Sequence, residues 1–401
     1  MARQYSLRSF LRNAPNALLR RYLTDKGIGS DLGWDSLGET QVGPILEAIE
    51  RAPAEVRVEV ERSFRDVNEM ATEGGIQTII DEGRHPQHRI DLAETLGKMA
   101  GHYDRAFYAF LEYPRVFDVA RRFNHADHLS GKSWRKRCDL PDVDPAIDLE
   151  SRERLARAVS AYYRKTQGRG HACQVEHYSR GDQLYWFAYP EDYAGTSIEY
   201  DEADQFERRS QRPAFEVIFV YSSDEKSLDL FVRGSWRIVR DLQEIWGRTV
   251  LGVELGEPEK LGVVYQLNAL KRREFPLAFH QGDGVQEIHV RKLRLKVMGK
   301  GNKRIVLEAN VRDAPEGVYD LLDEVTGPGG ISLELVDVTQ VGFQFLFYAE
   351  GRRGTQTLNF DVTHPNSCSL KYDPKHEIAK KYLREWGIDV SGRTEPALAK
   401  S

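Results

Sequence analysis

The spacing of apolar side chains changes at Gly168-Arg169-Gly170, from a helical half to a strand-rich one, and that change limits the folds open to this chain. Before Gly168-Arg169-Gly170 they recur at three- and four-residue steps, the repeat of one helix face; beyond it they alternate, the repeat of a strand. Val56, Val60, Phe64 and Val67 follow Pro53 in a long charged helix, and Leu155, Val159, Tyr162 and Tyr163 mark the last helix of this half. Past the glycines, Cys173, Val175 and His177 alternate, and Leu184 to Phe187 is an apolar run. The reading is an α+β chain. An N-terminal all-helical domain, residues 1–168, precedes a larger region of antiparallel hairpins and packed helices, residues 169–392, with 393–401 as a frayed polar tail.

Within the second half, Phe215, Val217, Phe219 and Tyr221 alternate and Ser222 to Lys226 supplies turn chemistry. Leu228, Leu230 and Val232 return, and Ile238, Val239, Leu242, Ile245 and Trp246 recur at helical spacing before a Gly247 stop. Phe343 to Gly387 repeats that order of hairpin and helix, with Trp386 before Gly387. The element order suggests an internal duplication, 171–250 and 286–388. Further expectations are an acidic helix or loop at 199–212, a strand at 262–270, a hairpin at 288–309 and a helix stop at Gly74-Gly75.

Charge and composition narrow the function. Among 401 residues, 57 basic and 62 acidic side chains leave a net charge of −5, so any polyanion affinity must come from a local patch. Three scattered cysteines with no C-x-x-C pair fit a reducing compartment, and the cytoplasm is the expected location. No apolar run reaches the roughly 18 residues that would span a bilayer, so no membrane partner is expected. The Arg-rich start, Arg3 to Arg21 without an acid, has the composition of a mitochondrial transit peptide, but Leu18, Leu19, Tyr22 and Leu23 before Gly27 favour a folded helix. No cofactor is expected: Ser130-Gly131-Lys132-Ser133 ends like a phosphate loop but has Ala126 where the first glycine belongs, and Gly27-Ile28-Gly29 lacks a third glycine in place.

Metal ligands are not expected either. His85 and His88, His125 and His128, and His171, Cys173 and His177 have ligand-like spacings, but none makes a full zinc set. Arg122-Phe-Asn-His-Ala-Asp-His128 resembles the R-x(4–6)-H motif of the HEPN-type ribonucleases. That resemblance implies Arg122 and His128 as catalytic residues acting on a scissile phosphate and a ribose 2′-hydroxyl. Phe123 stands where that family often has a polar residue.

The strongest local signal is electrostatic. Val290 to Arg304 holds Arg291, Lys292, Arg294, Lys296, Lys300, Lys303 and Arg304 and no acid. Leu293, Leu295 and Val297 alternate with Lys292, Arg294 and Lys296, so a strand here would bury one face and present cations on the other. Those seven residues are the expected nucleic-acid contacts. A second basic group, Lys132, Arg135, Lys136 and Arg137 around Trp134, would act with them if the fold brought them together. The leading expectation is a nonenzymatic binder of nucleic acid or nucleoprotein using this basic hairpin. The alternatives are a nuclease with its site in the helical domain and a protein-interaction subunit.

Overall fold

The computed structural model describes residues 5–129, 133–201, 205–257, 264–299, 303–348, 355–370 and 374–391. The chain forms two units, residues 1–128 with 194–212, and residues 129–193 with 213–401. Helices precede antiparallel sheets, as the change of period requires.

Among its described residues the first unit has eight α-helices: α1 (Leu7–Asn13), α2 (Asn16–Asp25), α3 (Gly43–Glu50), α4 (Ala54–Met70), α5 (Glu73–Arg84), α6 (Ala93–Gly97), α7 (His102–Glu112) and α8 (Pro114–His128). Their apolar stripes meet in one core around Phe10, Phe64 and Phe107. Gly74 and Gly75 do not stop α4. They lie in the first turn of α5, where Thr72 Oγ1 accepts a hydrogen bond from the Gly75 N–H at 3.0 Å. A Cβ on Gly75 would stand 2.4 Å from the Met70 carbonyl oxygen, so its small size lets the chain turn tightly between the two helices.

The second unit opens with a short strand, β1 (Trp134–Arg137), and helix α9 (Leu149–Gln167). Gly168 caps α9 in the left-handed conformation, and the chain continues into β2 (Cys173–Arg180) and β3 (Gln183–Pro190), on which α9 packs. The Gly168-Arg169-Gly170 position therefore falls inside this unit: a change of period marks a new element type, and here the helix before it shares a core with the strands after it. The described residues of 199–212, expected as an acidic helix or loop, instead belong to the paired strands β4 (Gly195–Tyr200) and β5 (Phe206–Gln211), which group with the first unit.

The chain then runs through β6 (Val217–Ser222), β7 (Ser227–Phe231) and α10 (Trp236–Trp246), as the spacing around Phe215 anticipates. The first sheet has the order β1-β7-β6-β3-β2. Gly247 does not terminate its helix: its φ is −54°, the chain continues through one wider turn to Leu251, and Gly252 takes the left-handed stop. Gly247 is small because Leu255 packs there, its Cγ 2.4 Å from where a Cβ would be.

The second sheet, β12-β11-β10-β8-β9, comprises β8 (Val285–Val297), β9 (Arg304–Glu308), β10 (Val336–Tyr348), β11 (Thr355–Thr363) and β12 (Ser367–Cys368). Its apolar face packs on α11 (Gly317–Thr326) and α12 (Pro374–Glu385). In place of a strand at 262–270, the described part has one bridge at Tyr265 and a 3-10 turn at Asn268–Lys271.

The two sheets do not repeat one another strand for strand. In the first, the later hairpin joins the second strand of the earlier one, β6 to β3; in the second it joins the first strand, β10 to β8. Trp246 is fully buried, whereas Trp386 is only partly buried and donates from Nε1 to the Ala278 carbonyl at 2.8 Å. Element order recurs without the connectivity that a duplication would carry over.

Candidate nucleic-acid interface

The hairpin of β8 and β9 is where the alternation of sequence becomes a two-faced surface. Leu293 and Leu295 are fully buried, Leu307 lies behind them, Lys296, Arg304 and Val306 are exposed on the other side, and Lys303 is exposed at the hairpin end. Arg294 is half-buried between Val306 on β9 and Gln340 on β10, its cross-strand neighbours. Lys296 and Arg304 stand directly opposite each other, a like-charge pair that disfavours the isolated hairpin. Among the described residues, Arg294, Lys296, Lys303 and Arg304 make no ion pair. Asp337, across from Lys296 on β10, accepts instead from Asn268 Nδ2 at 2.9 Å.

Arg291 and Lys292 behave differently. The register between β8 and β10 shifts at Gly342/Phe343, and Arg291 is the extra residue there. Both cations turn onto Asp361 of β11: Arg291 Nη2 lies 3.2 Å from Oδ1 and Lys292 Nζ 2.8 Å from Oδ2. Arg291 Nη1 also pairs with Glu308 at 2.9 Å, and Gln340 Nε2 donates to Asp361 Oδ2 at 3.0 Å. Gly342 lies between Lys292 and Asp361, and only a residue without a side chain leaves room for them. Two of the seven expected contacts are thus neutralised inside the sheet, four stand unpaired, and Lys300 lies outside the described residues. The sequence run around 291–304 is blind to Asp361, seventy positions on, which the fold brings across two strands.

The second basic group is turned inward. Lys136 pairs with Glu225, and Arg137 is held by Asp139 and by the Leu255 and Gly256 carbonyls. Burial alone would lower the Lys136 ammonium, but Asp229, Glu225 and their neighbours raise it on balance. Burial pushes the Glu225 carboxyl up, yet Lys136 outweighs it and holds the group down at about 2. Arg135 reaches the Trp134 carbonyl at 2.7 Å, and Lys132 lies outside the described residues.

Arg122 and His128 share α8, six residues apart and so about 120° around its axis. Arg122 pairs with Asp118 one turn back, and His128 Nδ1 is 2.6 Å from the Asn124 carbonyl. On the same helix an open cavity of about 370 Å³ is lined by Asp66, Phe110, Phe117 and Arg121; burial raises the Asp66 carboxyl, and Arg121 lies 3.2 Å from it. Of the histidines, His88 contacts Glu82 at 3.0 Å and His177 packs against Trp186, where burial and then Arg152 pull it down to about 4. Among the described residues no cluster of three ligand-type side chains could hold a metal. Among the described residues no helix is long and apolar enough to cross a membrane.

No known protein family matches this chain, and no curated protein is significantly similar to it.

Proposed function

We propose that the open face of the second sheet binds the phosphate backbone of a nucleic acid, free or within a nucleoprotein complex. The contacts are Arg294, Lys296, Lys303 and Arg304. One observation carries this: Lys296 and Arg304 face each other across two strands, Arg294 lies two positions from Lys296 and diagonal to Arg304, and among the described residues none of the three makes an ion pair, Asp337 opposite Lys296 included. A like-charge pair held by the fold is relieved when a polyanion displaces its counterions. The same face is polar rather than apolar: Gln340, buried, stands across from Arg294, and Gln344 and Asn359 lie farther along it. The free thiols Cys138, Cys173 and Cys368 fit a reducing compartment such as the cytoplasm.

Protein interaction is the second reading, favoured by Met298 and Leu335. Both are about half exposed beside the hairpin end and joined by a backbone hydrogen bond of 2.8 Å. The nuclease reading draws nothing from α8, where Arg122 and His128 are each tied to a residue one turn back.

Fluorescence anisotropy with labelled RNA and DNA at low salt tests the proposal. Arg294→Glu with Lys296→Glu should weaken binding to every sequence alike, since phosphate contacts position without specifying. Reversal of two exposed cations in the first unit, Arg51→Glu with Lys98→Glu, should leave affinity unchanged. Equal losses in both double variants, or none in either, would count against the sheet face.

A further inference from the structure

The outer edge of β9 is open, and its sequence is complementary to itself. Hydrogen bonds from Val297 N–H to the Lys303 carbonyl at 2.9 Å and from Ala309 N–H to the Arg291 carbonyl at 3.0 Å flank the β8–β9 ladder. Antiparallel alternation then turns Ile305 and Leu307 toward β8, and the N–H and C=O groups of Arg304, Val306 and Glu308 outward. Among the described residues none of those three outward positions has a backbone partner on that side. Their side chains are exposed too, Val306 by 52%.

We propose that β9 pairs with β9 of a second copy of this chain, antiparallel, about a twofold axis at Val306. In that register Val306 meets its own symmetry mate, and each Arg304 faces Glu308 of the other copy, whose Oε1 holds Arg291 of its own chain and whose Oε2 is left for the arginine. All three outward positions become hydrogen-bonded pairs, because outward groups meet outward groups. The contact is isologous and closes at two copies. Charged residues on an edge strand ordinarily deter pairing with other strands. Here an arginine and a glutamate sit two positions either side of an apolar residue, so this one register turns deterrence into two opposite-charge pairs. Arg304 also leaves its like-charged neighbour Lys296 for a carboxylate. This inference does not rest on nucleic-acid binding.

Sedimentation of the full chain without nucleic acid tests it. The wild type should approach twice the 45.9 kDa chain mass as concentration rises. Arg304→Glu alone, or Glu308→Arg alone, puts like charges opposite each other at both ends and should raise the dissociation constant about tenfold or more. Mixing those two single variants restores both opposite-charge pairs, so the mixture should form a heterodimer that neither forms by itself. Val306→Pro removes the central outward N–H without touching the bonds to β8, and should give monomer with unchanged circular dichroism. A wild type that stays monomeric, or a dimer indifferent to Val306→Pro and to the charge reversals, overturns the proposal.

Discussion

A side chain at Gly342 would collide with the charges around it: its Cβ would lie 2.9 Å from both Asp361 Oδ1 and Lys292 Cβ. Gly342→Val should therefore cost about 1–3 kcal/mol in a denaturant titration, as overpacking at a closed site does. Asp361 is the other half of that arrangement, since it neutralises Arg291 and Lys292 together. Asp361→Asn should lower stability and release Lys292 onto the open face, while Arg291 keeps its pair with Glu308. Duplex binding should then become more salt-dependent, by up to about 0.9 unit of log–log slope. An unchanged slope in a folded Asp361→Asn protein would show that Lys292 does not reach the nucleic acid. Acid should act on two residues in turn. His177 is held near 4 against an ordinary 6.5, so its contribution is complete above pH 6.5 and is lost as pH falls toward 4. Glu225 is held near 2 against 4.5, so its contribution is complete above pH 4.5 and lost toward pH 2. Urea midpoints should fall through both windows, and His177→Phe should flatten the upper one.

At the scale of elements, what could be read from sequence was what local chemistry decides. The β6–β7–α10 unit matches its spacing because turn residues and one apolar stripe suffice to define it. The β8–β9 hairpin is legible for the same reason, down to its buried leucines. The β4–β5 hairpin was not, because its sides carry mixed charge and aromatic residues with no buried face to impose alternation: Ile198, Tyr200 and Phe206 are all largely exposed. Gly247 and Gly75 misled as stops because their smallness answers to Leu255 and Met70, contacts no short window contains. The tryptophans Trp246 and Trp386 looked equivalent in sequence and are not. Trp246→Ala should cost about 3–5 kcal/mol, and Trp386→Ala clearly less, since its ring is partly exposed. Equal losses of stability in the two variants would restore the case for equivalent positions.

For the whole molecule, the net charge of −5 means that no general attraction draws a polyanion to this chain. Affinity must rest on a few side chains that the fold leaves unneutralised. The basic run in the sequence overstates the unpaired charge of this hairpin, because ion pairing is decided by strands distant in sequence. Binding governed by Arg294, Lys296, Lys303 and Arg304 has a fixed salt signature. With four phosphate contacts, log affinity against log salt should fall with a slope of about −3.6 for duplex DNA and about −2.8 for a single strand. The most direct test is that slope, measured by anisotropy for the wild type and for Arg294→Glu/Lys296→Glu/Lys303→Glu, with circular dichroism as the check on folding. The wild type should give those slopes, and the folded triple variant should bind too weakly to give one. Equal affinity and equal slope in the two proteins would contradict the assignment of this face to nucleic acid.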